Sequence, residues 1–419
     1  MNQPNVCTPT PHRRRQTFLE GVLNFSTTTP LPSPHEAADA LRLYNIILED
    51  SRRANIFLSA TNGISQTQSL ARPLIHLFFQ HMYEQCPSEL GRDNVLLVVL
   101  HALFPPPAPH LYESQSQRYP AVIVQRANVW LKSSFTAADR ANVYDRLQIL
   151  ANDLIQGFFA PLKASGGQTP AVSPLIMAHS RTEVEPDHGT NSRLSNLRTL
   201  CLQRDDYRCV ILKDLDYATQ VKWNKGFPGN GREFNDEETC VTEVAHIIPH
   251  SLNSLDTTGA LGEARSYFWR IMNLFDPGIS HLLAGTAIDS PINALTLENT
   301  LHRLFGDLSW YLEPVFNHPH TYTIHSVPRR RIPRRQQPPS TTISFNAAHP
   351  SIPPPAPRLL VIHRACCRIL SMSGAGECVD DVLSDVDELV SQGVLAADGS
   401  SNLALFWRLR EAGMKVMAY

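Results

Sequence analysis

The chain has no uninterrupted apolar run near the about 18 residues that a bilayer-spanning helix needs, so no membrane span is expected. Met1 to Gln16 holds three prolines and the run Arg13-Arg14-Arg15, with no apolar stretch leading to a small-residue cleavage site, so a secretory leader is not expected either. Cysteine is sparse: eight in 419 residues, unevenly spaced and without a Cys-x-x-Cys pair. That excludes a disulfide scaffold and a thiolate zinc site, and it fits a reducing, intracellular setting, nuclear or cytoplasmic. Charge of one sign is also scarce. A net charge of -2 with 42% hydrophobic residues is ordinary for a soluble protein. No internal repeat is visible. The length suits two or three domains.

What is present divides the chain. In the N-terminal region, 1–163, Glu36 to Arg53 carries Ala37, Ala40, Leu41, Tyr44, Ile47 and Leu48 at helical spacing. Ser69 to Gln85 and Ala137 to Ile155 read as helices too, whereas the apolar, β-branched stretches Asn94 to Leu103 and Ala121 to Leu131 read as buried strands. A Gly, Pro, Ser and Thr-rich stretch places a linker at 164–194. A central domain is expected at 195–325. Ser326 to Pro357 holds nine prolines and five arginines and reads as an exposed tether, 326–357. Beyond it, Arg358 to Leu370, Glu377 to Gln392 and Asn402 to Met417 predict a small helical module, 358–419.

The chemistry lies in the central domain. Val241 to Ile248 is β-branched and stops at Pro249, Ile292 to Leu297 alternates enough to pair with it, and Glu298 to Leu312 has helical spacing at Leu301, Leu304, Phe305, Leu308 and Leu312. Strand, long loop, strand and helix follow in that order. The loop, Ser251 to Ser290, is too long to be structureless, and Gly262 to Phe275 is expected to be a helix within it. His246 then ends the first strand, Asn293 starts the second and His302 lies in the first turns of the helix. Phosphodiester hydrolysis needs a base that works near neutral pH and a cation to stabilise developing charge on phosphate, and an imidazole can serve each need.

Ala245-His246-Ile247-Ile248-Pro249, with Asn293 and His302, resembles the His-Asn-His signature of HNH nucleases, the superfamily that includes colicin nucleases and the HNH domain of RNA-guided CRISPR nucleases. With the lead-in Arg204-Asp205-Asp206-Tyr207-Arg208-Cys209 and the tail Phe305-Gly306-Asp307, the segment looks most like the divergent HNH domains of basidiomycete fungi. The resemblance implies an α+β fold with a central ββα-metal (His-Me finger) domain. It implies a metal-dependent endonuclease with His246 as general base, Asn293 orienting the loop that bears it, and His302 ligating one divalent ion, Mg2+ or Mn2+. Nucleic acid is the implied partner, DNA ahead of RNA.

Two positions depart from the family pattern. Ala245 stands where many members place a second ligand, and Glu243, two residues earlier on the same strand face, is the substitute. Gly306 stands where an acidic residue often follows the phenylalanine, and Asp307 is the stand-in. The departures motivate an alternative, a catalytically degenerate HNH fold that binds nucleic acid or protein. His250 follows Pro249 and is expected to face solvent. Cys209 and Cys240 are expected near one another as core residues rather than as a zinc site. Arg329, Arg330, Arg331, Arg334 and Arg335 read equally as a phosphate-binding patch and as a solubilising linker.

Overall fold

The computed structural model describes residues 34–61, 75–104, 119–132, 136–166, 190–225, 238–252, 259–328, 330–345, 349–380 and 383. The N-terminal half is helical: α1 (Pro34–Thr61), α2 (Ile75–Glu84), α3 (Glu89–Leu103), α4 (Tyr119–Lys132) and α5 (Ala137–Leu154), which passes through a π-turn at Ile155–Phe159 into α6 (Ala160–Ser165). There follow α7 (Thr190–Arg204), β1 (Leu215–Asp216), α8 (Tyr217–Asn224), β2 (Thr239–Cys240), β3 (Thr242–His246), α9 (Gly259–Phe275), α10 (Ile279–Leu282), β4 (Ala294–Glu298), α11 (Asn299–Gly306), β5 (Trp310–Pro314), β6 (Thr321–Ser326), β7 (Thr342–Ser344) and α12 (Pro357–Ser373). Strands β1 and β2 pair in parallel, β3 and β4 antiparallel, and β5, β6 and β7 form an antiparallel sheet in that order. Helix and strand are thus mixed. Among the described residues no helix is long and apolar enough to cross a membrane.

The two stretches expected as buried strands are helices α3 and α4. Ser88 caps α3, its Oγ accepting from the Gly91 N–H at 3.0 Å, and the helix is then buried on every side from Asn94 to Leu103. A helix buried all round has no polar face, so the 3.6-residue stripe vanishes and its valines imitate a strand. The helix expected to reach Leu312 is also shorter. It ends at Gly306, Leu308 turns with φ +56°, and Trp310 begins β5.

The helix anticipated inside the long loop, α9, joins the N-terminal half to the motif-bearing region. Asn94 Nδ2 donates to the Leu274 carbonyl at 3.2 Å, and Tyr267 Oη donates to Asp153 Oδ2 at 2.6 Å. Phe158 stacks on Phe268 with centroids 5.0 Å apart. Gly157, in the π-turn, lets this happen: a Cβ there would lie 2.3 Å from the Tyr267 ring. The main apolar core draws on residues from Ala40 to Val379, and a smaller cluster of Leu197, Cys201, Val244 and Ala294 lies apart from it.

The proline- and arginine-rich stretch is not a free tether where it is described. It contributes β7 to the third sheet and buries Val327, Ile332, Ile343, Phe345 and Ile352. These apolar residues are too widely spaced to show a sequence pattern. Arg358 to Leu370 is helical as expected, within α12. Residues 69–74, part of the expected 377–392 helix, and all of 402–417 lie outside the described residues.

Candidate active site

Strand β3 is paired along its length with β4, Glu243 opposite Leu297 and His246 opposite Ala294. Beyond the last pair the ladder is extended by Asn293. Its backbone carbonyl accepts from the Ile247 N–H at 2.8 Å, and its side-chain Oδ1 accepts from the Ile248 N–H at 2.9 Å. Its Nδ2 donates to the carbonyls of Ile248 (2.9 Å) and Ile288 (3.0 Å). One N–H against two carbonyls fixes the amide orientation unambiguously. Asn293 is fully buried and locks the turn that follows His246 to the segment that carries Asp289. Arg204 holds the same place from behind. It makes a two-pronged pair with Asp205 (2.7 and 2.8 Å) and donates to the carbonyls of Pro291 (2.7 Å) and Ala294 (3.0 Å).

Helix α11 starts at once after β4 because Glu298 caps it, its carboxylate accepting from the Leu301 N–H at 3.0 Å. That places His302 in the first turn, buried, with Nδ1 2.6 Å from Glu243 Oε2. The Glu243 side chain is 44% exposed, so the pair opens to solvent. The hydrogen bond with His302 holds the Glu243 carboxyl below the ordinary carboxylate range against partial burial. Helix α11 is kept in register by Trp310, whose Nε1 donates to the Leu301 carbonyl at 3.1 Å, and by His363, which stacks on Phe305 at 3.7 Å.

His246 has its own carboxylate. Its Nε2 lies 3.2 Å from Asp289 Oδ1, and the same oxygen is 2.6 Å from His250 Nδ1. The other Asp289 oxygen accepts from Arg193 Nε at 3.2 Å. Burial lowers the His246 pKa, only partly opposed by Asp289 and reinforced by the nearby His250 and His302, so the ring is neutral at pH 7. Burial alone would raise the Asp289 pKa, but hydrogen bonds from both imidazoles prevail and hold it far below the ordinary range. An ionised carboxylate only accepts, so His246 carries its hydrogen on Nε2 and keeps its lone pair on Nδ1.

His250 is therefore turned onto Asp289 and only partly exposed, rather than facing solvent outright. Pro249 stops the strand, but the 3-10 turn at His250–Leu252 folds the chain back, leaving the two rings 5.9 Å apart. His246, His250 and Asp289 each present a ligand atom within 4.8 Å of the others, a group that could hold a metal ion. Asp289 carried no sequence signal: it ends a 3-10 turn (Gly285–Asp289) inside the long insert, 43 residues from His246.

Asp307 is not beside His302. Its carboxylate pairs with Lys163 (3.2 Å) and Arg330 (2.6 Å), because α11 has already ended and the chain is turning toward β5. Arg330 is thereby engaged within the fold and also pairs with Asp380. Arg331, Arg334 and Arg335 are exposed, and Arg329 lies outside the described residues. Cys209 and Cys240 do meet, thiol to thiol, with Cys209 Sγ also accepting from the N–H groups of Leu212 (3.4 Å) and Glu298 (3.3 Å).

The antiparallel pair of β3 and β4, joined through the long insert, leads into a short helix, with imidazoles at the end of one strand and in the first turn of the helix. Residues 209–313 match the family of HNH endonucleases, which suggests a nuclease or nucleic-acid-binding role for this segment. The match contains Glu243, His246, His250, Asp289, Asn293 and His302. No curated protein and no solved structure matches the chain.

Proposed function

We propose that the chain is an HNH endonuclease of the ββα-metal type, hydrolysing phosphodiester bonds in nucleic acid, DNA ahead of RNA. The observation that carries this reading is the pairing of each motif imidazole with its own carboxylate, Glu243 with His302 and Asp289 with His246. In it His246 is the general base: Asp289 holds the Nε2–H, and Nδ1 takes the proton of the attacking water. Asn293 fixes the turn that aims the ring. His302 and Glu243 would hold the divalent ion, one nitrogen and one solvent-facing oxygen being a donor set that leaves positions for water and phosphate. Such an ion, Mg2+ or Mn2+, supplies charge stabilisation for the phosphorane-like transition state and the leaving oxygen. Asp307 has no part in this reading, and the exposed Arg331, Arg334 and Arg335 are its candidate phosphate contacts.

The test is nicking of supercoiled plasmid, with single-stranded RNA in parallel, in magnesium or manganese. His246→Ala should lower the rate by about 10²-fold or more, the usual size of a general-base contribution. Cleavage that survives the substitution unchanged removes the mechanism. Ala245 and the engagement of Asp307 favour one other reading, a degenerate HNH module that binds without cutting. It is distinguished by nucleic-acid retention with no cleavage and no His302-dependent ion binding.

A further inference from the structure

The group formed by His246, His250 and Asp289 has a composition different from that of the Glu243–His302 pair. Two imidazoles and one carboxylate are the donors that zinc and its neighbours in the transition series favour, whereas magnesium prefers oxygen and retains its water. A tetrahedral ion with bonds of about 2.0–2.1 Å sets its ligand atoms about 3.3 Å apart. His246 Nε2 and Asp289 Oδ1 are already at 3.2 Å, and the 2.6 Å contact of His250 Nδ1 with the same oxygen needs to open by less than about 1 Å. Arg193 holds the second Asp289 oxygen and so presents the first as a single, oriented donor, the arrangement that outer partners give metal-bound carboxylates. Asp289 is buried, its side chain 1% exposed, while that of His250 is 15% exposed and forms the way in from solvent.

We propose that His246, His250 and Asp289 form a site for a divalent transition ion, zinc in class, separate from the Glu243–His302 pair. An ion bound to Nε2 of His246 displaces the hydrogen that now faces Asp289. The neutral ring then carries its hydrogen on Nδ1 and has no lone pair left to accept a proton. Occupancy of this site is therefore incompatible with His246 acting as a base. That consequence, resting on the function proposed above, makes zinc an inhibitor of magnesium-supported cleavage.

The experiment uses the full chain stripped with chelator and titrated with Co2+, followed by visible absorption and calorimetry. Wild type should bind one cobalt ion with the intense d–d bands of near-tetrahedral coordination. His250→Gln keeps an N–H for Asp289 and so preserves the fold's hydrogen bond while removing the ligand. It should weaken cobalt binding at least about tenfold. His302→Ala should leave the bands in place. Bands unchanged in His250→Gln, bands lost in His302→Ala, or no cobalt binding by wild type would each overturn the site. Zinc is then added to the cleavage assay, each protein compared with its own magnesium-supported rate, and inhibition should be strong in wild type and weak in His250→Gln. If the chain cleaves nothing, the cobalt spectra still decide the site, so its failure is distinct from failure of the nuclease reading.

Discussion

Lys163, from the end of the N-terminal helices, reaches Asp307, just past the helix that carries His302, at 3.2 Å, with its own side chain only 3% exposed. Arg330 shares that carboxylate, and Asp380 pairs with both cations. Four segments distant in the chain are thereby closed around one buried ammonium. Burial pushes the Lys163 pKa down, with Asp307 opposing.

Asp307→Ala should therefore be a stability variant, not a metal variant. Lys163 keeps Asp380 but loses one of two counter-charges, and the loss should be about 1–3 kcal/mol, read as a lower urea midpoint at unchanged m. Manganese affinity, measured by calorimetry, should match wild type. Weakened ion binding without a stability change would return Asp307 to the role its place in the motif suggested.

Asn293 makes a different prediction. Truncation to Ala leaves the Ile248 N–H and the Ile248 and Ile288 carbonyls buried without a partner, costing roughly 2–4 kcal/mol. Asn293→Asp has the same shape but sets an oxygen against two carbonyls. Only its protonated form can donate, so its deficit relative to wild type should shrink as pH falls. Equal deficits at pH 7 and pH 5 would contradict the clamp.

The parts of this site that could be read in the sequence were those with local periodicity. The β-branched run ending in His246 and the Leu301, Leu304, Phe305 spacing around His302 declare a strand and a helix because each has one buried face. Glu243 was recoverable because alternation puts it on the face of Ala245. Asp289 and His250 were not, since neither sits in a regular element and both reach His246 only through tertiary folding of the insert. Helix α3 was misread for the converse reason, burial so complete that no period survives, whereas α4 exposes Gln125, Arg126 and Val129 and was misread because its β-branched run Val122-Ile123-Val124 imitates a strand.

The lead-in Arg204-Asp205 looked like a motif signature and turns out to be a support. Arg204 forms four hydrogen bonds in a fixed plane to Asp205 and the two carbonyls that flank Asn293. Lysine carries the same charge on a point, without the fork. Arg204→Lys should cost roughly 2–4 kcal/mol and lower cleavage at the same time, because Asn293 loses its backing. A variant with full stability in denaturant would show that charge alone suffices there.

His363 links helix α12 to helix α11, stacked on Phe305 with Nε2 3.1 Å from the Phe305 carbonyl. Burial lowers its pKa to about 4, with the Phe305 carbonyl opposing. In the unfolded chain it titrates near its ordinary value of about 6.5, so between these two values the unfolded state binds more protons than the folded one. Stability therefore falls as pH drops from about 6.5 toward 4, by an amount on the order of 3 kcal/mol when fully expressed. His363→Phe keeps an aromatic ring against Phe305 but cannot titrate. Its unfolding free energy should decline less than that of wild type between pH 7 and pH 5, and a parallel decline would place the acid sensitivity elsewhere in the core.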